Sequence, residues 1–227
     1  MNRYRHEYKY IINKMEEDIL IMQASGFLEK DCHAALDGAY TVRSLYFDDY
    51  EDSCLMENEN GSDLRAKFRM RYYNKDWDYV RLEKKSKVHG MTQKESCLLN
   101  PEECRQLVNG RIPAVDVELP EKKKRLFLEM QFRNMVPKVI VSYERIPFVY
   151  AVGNVRITFD RKITSSNDTE CFLQGGYSER PILSQGFSIL EVKWDELLPS
   201  LIKDVMQMDS LQWTAFSKYY MCRVYHL

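Results

Sequence analysis

Histidine is scarce in this chain of 227 residues: there are four, and no two have metal-ligand spacing. A metal site built on imidazoles is therefore not indicated. His33 and His89 fall in loop-like sequence and read as surface residues. The six cysteines (Cys32, Cys54, Cys97, Cys104, Cys171, Cys222) are scattered, with no C-x-x-C pair. That pattern fits reduced thiols in the cytoplasm better than a disulfide frame or a zinc site. No run approaches the roughly 20 apolar residues of a membrane span. The N-terminus, MNRYRHEYKY, has no apolar signal core. There is no G-x-x-x-x-G-K loop, no other Gly-rich phosphate loop and no kinase motif set. No serine or cysteine has an obvious base, so nucleophilic catalysis by the protein is not indicated. Excess charge is missing too. The formal net charge is -1, which argues against a general nucleic-acid binder, whose domain is usually basic throughout.

What the chain does have is a local concentration of cations between Lys67 and Lys94, KFRMRYYNKDWDYVRLEKKSKVHGMTQK. Lys67, Arg69 and Arg71 alternate with Phe68, Met70 and Tyr72. After a polar break at Asn74-Lys75-Asp76, Arg81, Glu83, Lys85 and Lys87 alternate with Val80, Leu82, Lys84 and Ser86. A period of two is the strand period, so each set of cations lies on one face of one strand. Val88-His89-Gly90 is turn material, and three consecutive strands are expected to pair as a meander. For any one strand, the plain reading is a solvated sheet face. Repetition on successive strands, with apolar Phe68, Met70, Tyr72, Val80 and Leu82 opposite, favours a surface or tunnel wall that holds an anion. Arginine and lysine bind phosphate, the first as a planar fork and the second as a point charge.

The remaining elements place similar faces around this stretch. A first strand is expected over Tyr4 to Ile12, with Arg3, Arg5, Glu7 and Lys9 on one face. Asn13 caps a helix running to about Ser25, with Met15, Ile19 and Met22 as its apolar stripe and Gly26 at its end. Asp37-Gly38 marks a loop, and Tyr40 to Asp48 is the second strand. Asp49 to Asn60 reads as a short helix closed by Asn60-Gly61. Asn100-Pro101 opens a helix in the order cap then proline, and Gly110 closes it. A further helix is expected over about Glu121 to Met135, its run Lys122-Lys123-Lys124-Arg125 forming a solvated face. Pro137 to Glu144 and Val155 to Arg161 are strands, and Pro147 predicts a turn or bulge between them. Ser165 to Gly186 is loop-rich, and Phe187 to Trp194 is the last clear strand. Asp195 to Met208 is helical, and a short helix from about Ser210 or Phe216 closes the chain. With 44% hydrophobic and 30% charged residues, no repeat and no linker, this reads as one α+β domain over residues 1–227.

The later strands also carry charged faces. Tyr143 and Arg145 share one, Arg156, Thr158 and Asp160 another, and Glu191 and Lys193 a third. A closed antiparallel barrel with helices outside would bring all these faces to one interior. A lumen lined with lysine and arginine needs a polyanion, because unpaired buried charges are costly. Glu7, Glu83 and Glu191 on the same faces suggest a divalent Mn²⁺ or Mg²⁺ that bridges the anion to the protein. For Glu191 a salt bridge to Lys193 or a neighbouring-strand cation is about as good a reading.

The ordered set Arg5-x-Glu7-x-Lys9-Tyr10, Ser44-Leu45-Tyr46-Phe47-Asp48, Lys67-x-Arg69-x-Arg71, Glu83-x-Lys85, Tyr143-x-Arg145, Arg156-x-x-x-Asp160, Leu190-Glu191-Val192-Lys193 and Phe216-Ser217-Lys218-Tyr219 resembles the VTC domain. This is the catalytic domain of the vacuolar transporter chaperone polyphosphate polymerase, within the triphosphate tunnel metalloenzymes. The resemblance implies a tunnel of about eight antiparallel strands. It implies Lys9, Arg69, Arg71, Lys85, Arg145, Arg156 and Lys218 as catalytic phosphate contacts. Lys94, Tyr143, Lys193 and Ser217 are implied as substrate contacts, and Glu191 as the metal ligand. The wider superfamily begins with Glu-x-Glu-x-Lys. Arg5 at its first position places the chain in the polyphosphate branch and argues against a second Glu-based metal site. No phosphate-sensing domain or membrane segment accompanies the motifs, so the chain resembles the stand-alone bacterial form.

The function expected on this basis is transfer of the γ-phosphoryl of ATP to a growing inorganic polyphosphate, with Mn²⁺ or Mg²⁺. Competing readings are a triphosphatase or short-chain polyphosphatase, and a non-catalytic polyphosphate-binding module. RNA binding or RNA 5′-triphosphate processing is disfavoured by the near-neutral charge and by the lack of paired aromatic-basic motifs.

Overall fold

The computed structural model describes residues 5–31, 38–74, 76–88 and 91–226. Several expectations fall on residues outside these: the strand start at Arg3 and Tyr4, Cys32, His33, Asp37, Lys75 and the turn residues His89 and Gly90. The strands are β1 (His6–Asn13), β2 (Glu29–Lys30), β3 (Tyr40–Asp48), β4 (Arg65–Tyr73), β5 (Arg81–Val88), β6 (Met91–Leu98), β7 (Val136–Tyr150), β8 (Val155–Ser166), β9 (Arg180–Pro181) and β10 (Phe187–Trp194). The helices are α1 (Lys14–Phe27), α2 (Ser53–Glu59), α3 (Pro101–Val108), α4 (Glu121–Phe132), α5 (Ser200–Val205) and α6 (Lys218–Val224). The class is α+β, as expected. The strand path runs β1-β10-β8-β7-β3-β4-β5-β6, with the two-residue strands β2 on β7 and β9 on β8. Among the described residues no pairing joins β6 back to β1, so the closed barrel expected from the sequence is replaced by an open strand path.

The chain divides into two compact units. The first takes residues 1–41, 143–164 and 181–217, and the second takes 42–142, 165–180 and 218–227. In the first unit, β1 and β8 flank β10 in antiparallel register. Tyr10, Leu190 and Phe159 form one cross-strand row, and Tyr8, Val192 and Ile157 another. All of these except Tyr8 belong to the hydrophobic core, with Leu20 and Ala24 of α1 and Ile202 and Met206 of α5. Each such fully buried aliphatic or aromatic side chain contributes roughly 1.5–3 kcal/mol.

Helix α1 starts where the sequence signals it. The Asn13 side chain accepts from the Glu16 N–H at 3.0 Å, and the Asn13 N–H donates to the Glu16 carboxylate at 2.7 Å. This reciprocal pair satisfies two of the orphan N–H groups of the helix start. The buried face is not the expected one. Met15 and Met22 are 73% and 70% exposed, and the face turned inward is Leu20 and Ala24 with Glu17. Glu17 is buried because Lys14 and Arg161 meet its carboxylate at 3.3 and 3.6 Å. Strand β7 also corrects an expectation, since it runs through Pro147 without a turn. Proline lacks a donor but keeps its acceptor, and the Pro147 carbonyl takes the Asp31 N–H at 3.4 Å. At Gly153, φ is +74°, and a Cβ would lie 2.5 Å from the Leu197 carbonyl oxygen. No other residue fits there without moving backbone.

The second unit contains the expected meander. β4, β5 and β6 pair in antiparallel register, and Phe68, Met70, Tyr72, Val80 and Leu82 are all buried. α3 opens on Asn100 with its own reciprocal cap to Glu103. The basic run of α4 is not simply a solvated face. Lys123 bonds both Glu103 oxygens at 2.9 and 2.8 Å, and Arg125 pairs with Glu95 of β6. Lys84, on the apolar side of β5, reaches Glu129 of α4 at 2.6 Å and lies over the Phe68 ring. α2 begins later than expected, at Ser53. The Asp48 carboxylate holds the first backbone donors there, from Cys54 at 2.8 Å and Leu55 at 3.1 Å.

The revised α1 face gives a direct test. Leu20→Ala should cost about 2–5 kcal/mol in chemical denaturation, because it leaves a cavity in the core. Met22→Ala should stay within about 0.5 kcal/mol of the parent. Equal costs for the two would return the apolar stripe to Met15, Ile19 and Met22.

Candidate phosphate-binding site

In the first unit the charged face is set by strand register. Glu7 lies opposite Lys193, and Lys9 opposite Glu191, across β1 and β10. Glu191 continues to Thr158, and Lys193 to Arg156, across β10 and β8. Alternation then puts these side chains on the face opposite the core. The Lys9 Nζ is 2.7 Å from Glu7 and 3.7 Å from Glu191, and it donates to the Phe216 carbonyl at 3.2 Å. Lys193 meets Glu7 at 3.4 Å and makes a short contact with Glu191. Burial alone would lower the Lys9 pKa; the Glu191 and Glu7 carboxylates outweigh it and hold the ammonium charged. Glu191 thus lies in ion-pair contact with both Lys9 and Lys193.

Arg145 and Asp160 form a bidentate pair, with contacts of 2.6 and 2.8 Å. Asp160 is fully buried, and the arginine also lies over the Tyr143 ring, its Cζ 5.2 Å from the centroid. Burial opposes the Arg145 charge, but Asp160 raises its pKa well above the ordinary value. Arg156 donates to the Tyr40 hydroxyl at 3.1 Å and meets Asp31 at 3.0 Å. In the first unit, then, Lys9, Arg145, Arg156 and Lys193 each have a carboxylate.

The second unit has a different balance. One face of β4, β5 and β6 carries Arg65, Lys67, Arg69, Arg71, Arg81, Lys85, Lys87 and Lys94. Glu83 is the only carboxylate on that face of these strands. It is 1% exposed, and it takes Arg69 at 2.7 Å and Lys94 at 2.5 Å. Burial would raise its pKa, but Arg69, Arg71 and Lys94 bring it down to about 2. Arg69 also donates to the Tyr46 hydroxyl at 3.1 Å, and Arg71 to the Ser44 hydroxyl at 2.8 Å. Burial pushes the Tyr46 phenol up, and Arg69 and Arg71 more than reverse this, with Lys218 adding to them. Lys85 sits between Lys67 and Lys94 in register and is exposed.

The sequence-derived residues therefore fall into two groups. Lys9, Tyr143, Arg145, Arg156, Glu191 and Lys193 belong to the first unit, with Ser217 following the Phe216 carbonyl that takes Lys9. Arg69, Arg71, Lys85, Lys94 and Lys218 belong to the second. Ser44 and Tyr46 were not singled out as site residues. β3 is buried along most of its length, so its sequence shows no polar-apolar alternation that would mark one face. Their spacing of two was the available signal. Asp160 and Asp31, the anchors of Arg145 and Arg156, were also missed as partners, since cross-strand pairing is not visible along one strand.

Among the described residues no group of three or more His, Cys, Asp or Glu side chains is placed to hold a metal ion. A Mg²⁺ or Mn²⁺ ion needs less from protein: one or two carboxylates, with substrate phosphates completing the shell. Glu7 and Glu191 offer hard oxygens from adjacent strands to the same two lysines. That donor chemistry fits such an ion.

In each unit, then, strands with apolar side chains on one face carry cations on the other. The chain belongs to the VTC domain family, whose model matches residues 4–225. No curated protein matches it. Among solved structures, it is similar to a candidate adenylate cyclase from Bacillus halodurans, with 12% identity, a TM-score of 0.57 and 96% of each chain covered. It is also similar to HpAC1 of Hippeastrum, a candidate adenylyl cyclase described as having a dominant triphosphatase activity. There the identity is 13%, the TM-score 0.57, and the match covers 99% of this chain and 97% of that one. At these identities the likeness is one of fold. No helix among the described residues is long and apolar enough to cross a membrane.

The Glu83 pair predicts a pH dependence. Its folded pKa of about 2 lies below the ordinary 4.5, so between these values the unfolded state binds more protons. The carboxylate's contribution is full above about pH 4.5 and is lost as pH falls toward about 2. Glu83→Gln should therefore unfold at lower denaturant than the parent at pH 7, with the gap narrowing below pH 4.5. A gap independent of pH would remove Glu83 from this role.

Proposed function

We propose that this protein transfers the γ-phosphoryl group of ATP to the end of a growing inorganic polyphosphate. The observation that carries the reading is the face of β4, β5 and β6, where Glu83 is the only carboxylate among eight cations. Membership of the VTC family supports polyphosphate as the polyanion. In the transfer, an oxygen at the end of the polyphosphate forms a new bond to the γ-phosphorus. The bond from that phosphorus to the β–γ bridging oxygen breaks, and ADP leaves with the electron pair. The reaction needs positioning and charge neutralisation more than covalent help from protein.

Each unit is read by itself. In the second unit, Arg69, Arg71, Lys85, Lys94 and Lys218 are the proposed contacts to phosphoryl oxygens. In the first, they are Lys9, Arg145, Arg156 and Lys193, with Tyr143 and Ser217 as hydroxyl donors. Glu191, with Glu7 beside it, would hold Mn²⁺ or Mg²⁺. When bound, such an ion supplies positive charge against the phosphoryl oxygens. Asp160 and Glu83 are positioning residues: they keep Arg145 and Arg69 charged and fixed before substrate arrives.

A gel of the products formed from ATP and Mn²⁺ tests the reading. Long polyphosphate is the expected product. Free phosphate without long chains would instead make this a triphosphatase. No turnover with retained polyphosphate binding would make it a binding module. Arg69→Ala should weaken polyphosphate binding by about 1.5–3 kcal/mol in calorimetry at fixed salt. Glu191→Gln should stay folded and bind polyphosphate, yet lose turnover by orders of magnitude. Near-normal synthesis by that variant, with the same metal requirement, would show that the metal is held elsewhere.

A further inference from the structure

Two polar atoms on the charged face of β8 have no hydrogen-bond partner although both are buried: the Thr158 hydroxyl and the Arg156 Nε. Thr158 is 2% exposed as a residue. It shares its strand face with Arg156 and Asp160, and it lies opposite Glu191 on β10. Arg156 has its tip committed, since its Nη2 serves Tyr40 and Asp31. Its Nε is the donor left over. A buried hydroxyl without a partner lowers stability, and native proteins seldom keep one unless something else meets it. Ser188 offers a contrast. Its hydroxyl is also buried and unpartnered, but it lies on the strand face shared with Leu190 and Val192, away from the charges.

Valine would fill the Thr158 position as a β-branched strand residue without the polar cost. The hydroxyl is therefore a feature that the fold does not need. Residues two apart on a strand are separated by roughly 6.6 Å, a span that an arginine stem covers easily. We propose that the Thr158 hydroxyl and the Arg156 Nε form a donor pair that binds one phosphoryl group of the substrate, beside Glu191. The pair rests on the phosphate-handling reading given above and adds to it a specific subsite. The hydroxyl donates to one phosphoryl oxygen and the guanidinium N–H to another, and the anchors Tyr40 and Asp31 fix the guanidinium plane.

Calorimetric titration with tripolyphosphate at one fixed salt concentration, without metal, tests the pair on the full chain. Thr158→Val should bind at least about tenfold more weakly than the parent, the loss typical of a hydrogen bond to a charged group. Thr158→Ser, which restores the hydroxyl, should bind within about threefold of the parent. The melting temperature of Thr158→Val should be equal to or above that of the parent, so the loss cannot be ascribed to unfolding. Arg156→Lys keeps the charge but removes the Nε, and it should weaken binding too. Because both donors hold one group, the double variant should lose less than the sum of the single losses. Parent-like affinity for Thr158→Val would overturn the proposal, and so would full additivity in the double variant. If the parent itself binds no tripolyphosphate, the subsite and the phosphate-handling reading fall together. A parent that binds while Thr158→Val binds equally well removes the subsite alone.

Discussion

Lys9 faces Glu191 across the β1–β10 pair, and Glu7 faces Lys193 two residues away. This register constrains the rest of the first unit. It places Tyr10 and Leu190 on the opposite face, where they belong to the core. A slip of one residue would turn the charges into the core and the core residues out. Bringing four half-buried charges together in this way is not a route to stability, because desolvation offsets much of the attraction. What the arrangement secures is position. Lys9 and Lys193 are each held between two carboxylates.

The two units use carboxylates differently. In the first, Lys9, Arg145, Arg156 and Lys193 each meet a carboxylate. In the second, Glu83 alone shares a strand face with eight cations. The nearly matched charge of the first suits a role for Glu7 and Glu191 toward a divalent ion, and the cation-rich strand face of the second suits contact with a polyanion. The same residue types thus stand in two balances of charge, and the ratio of carboxylates to cations on the strands separates them. Tyr46 belongs with the second, since Arg69 and Arg71 lower its pKa despite burial.

The meander was legible because its two faces differ sharply: Phe68, Met70 and Tyr72 against Lys67, Arg69 and Arg71. The caps at Asn13 and Asn100 were legible from the asparagine itself, followed at Asn100 by proline, and in the structure a glutamate three residues later returns each hydrogen bond. The inward face of α1 was not. Met15, Ile19 and Met22 have helical spacing and more apolar surface than Leu20 and Ala24, but it is Leu20 and Ala24 that meet the core residues of strands and helices far along the chain, such as Phe159, Leu190 and Ile202. Pro147 misled for a related reason. Proline forbids a donor, not a strand, and its carbonyl has a partner in Asp31. The open strand path could not be read from alternating charge, which fixes a face but not how a sheet ends. Most of the candidate cations were found from their period of two. Their anchors, Asp160 for Arg145 and Asp31 for Arg156, were not, because pairing depends on neighbours distant in sequence.

The central claim is electrostatic: anchored cations on these strand faces hold a chain of phosphates. The salt dependence of tripolyphosphate affinity tests it most directly. Charges held near the surface are screened within about 10 Å at 0.1 M salt. The account predicts that affinity, measured by calorimetry on the parent protein, falls steeply and continuously as salt is raised from 0.05 to 0.5 M, as about that range spans strong to weak screening. An affinity that stays flat across the series would contradict it.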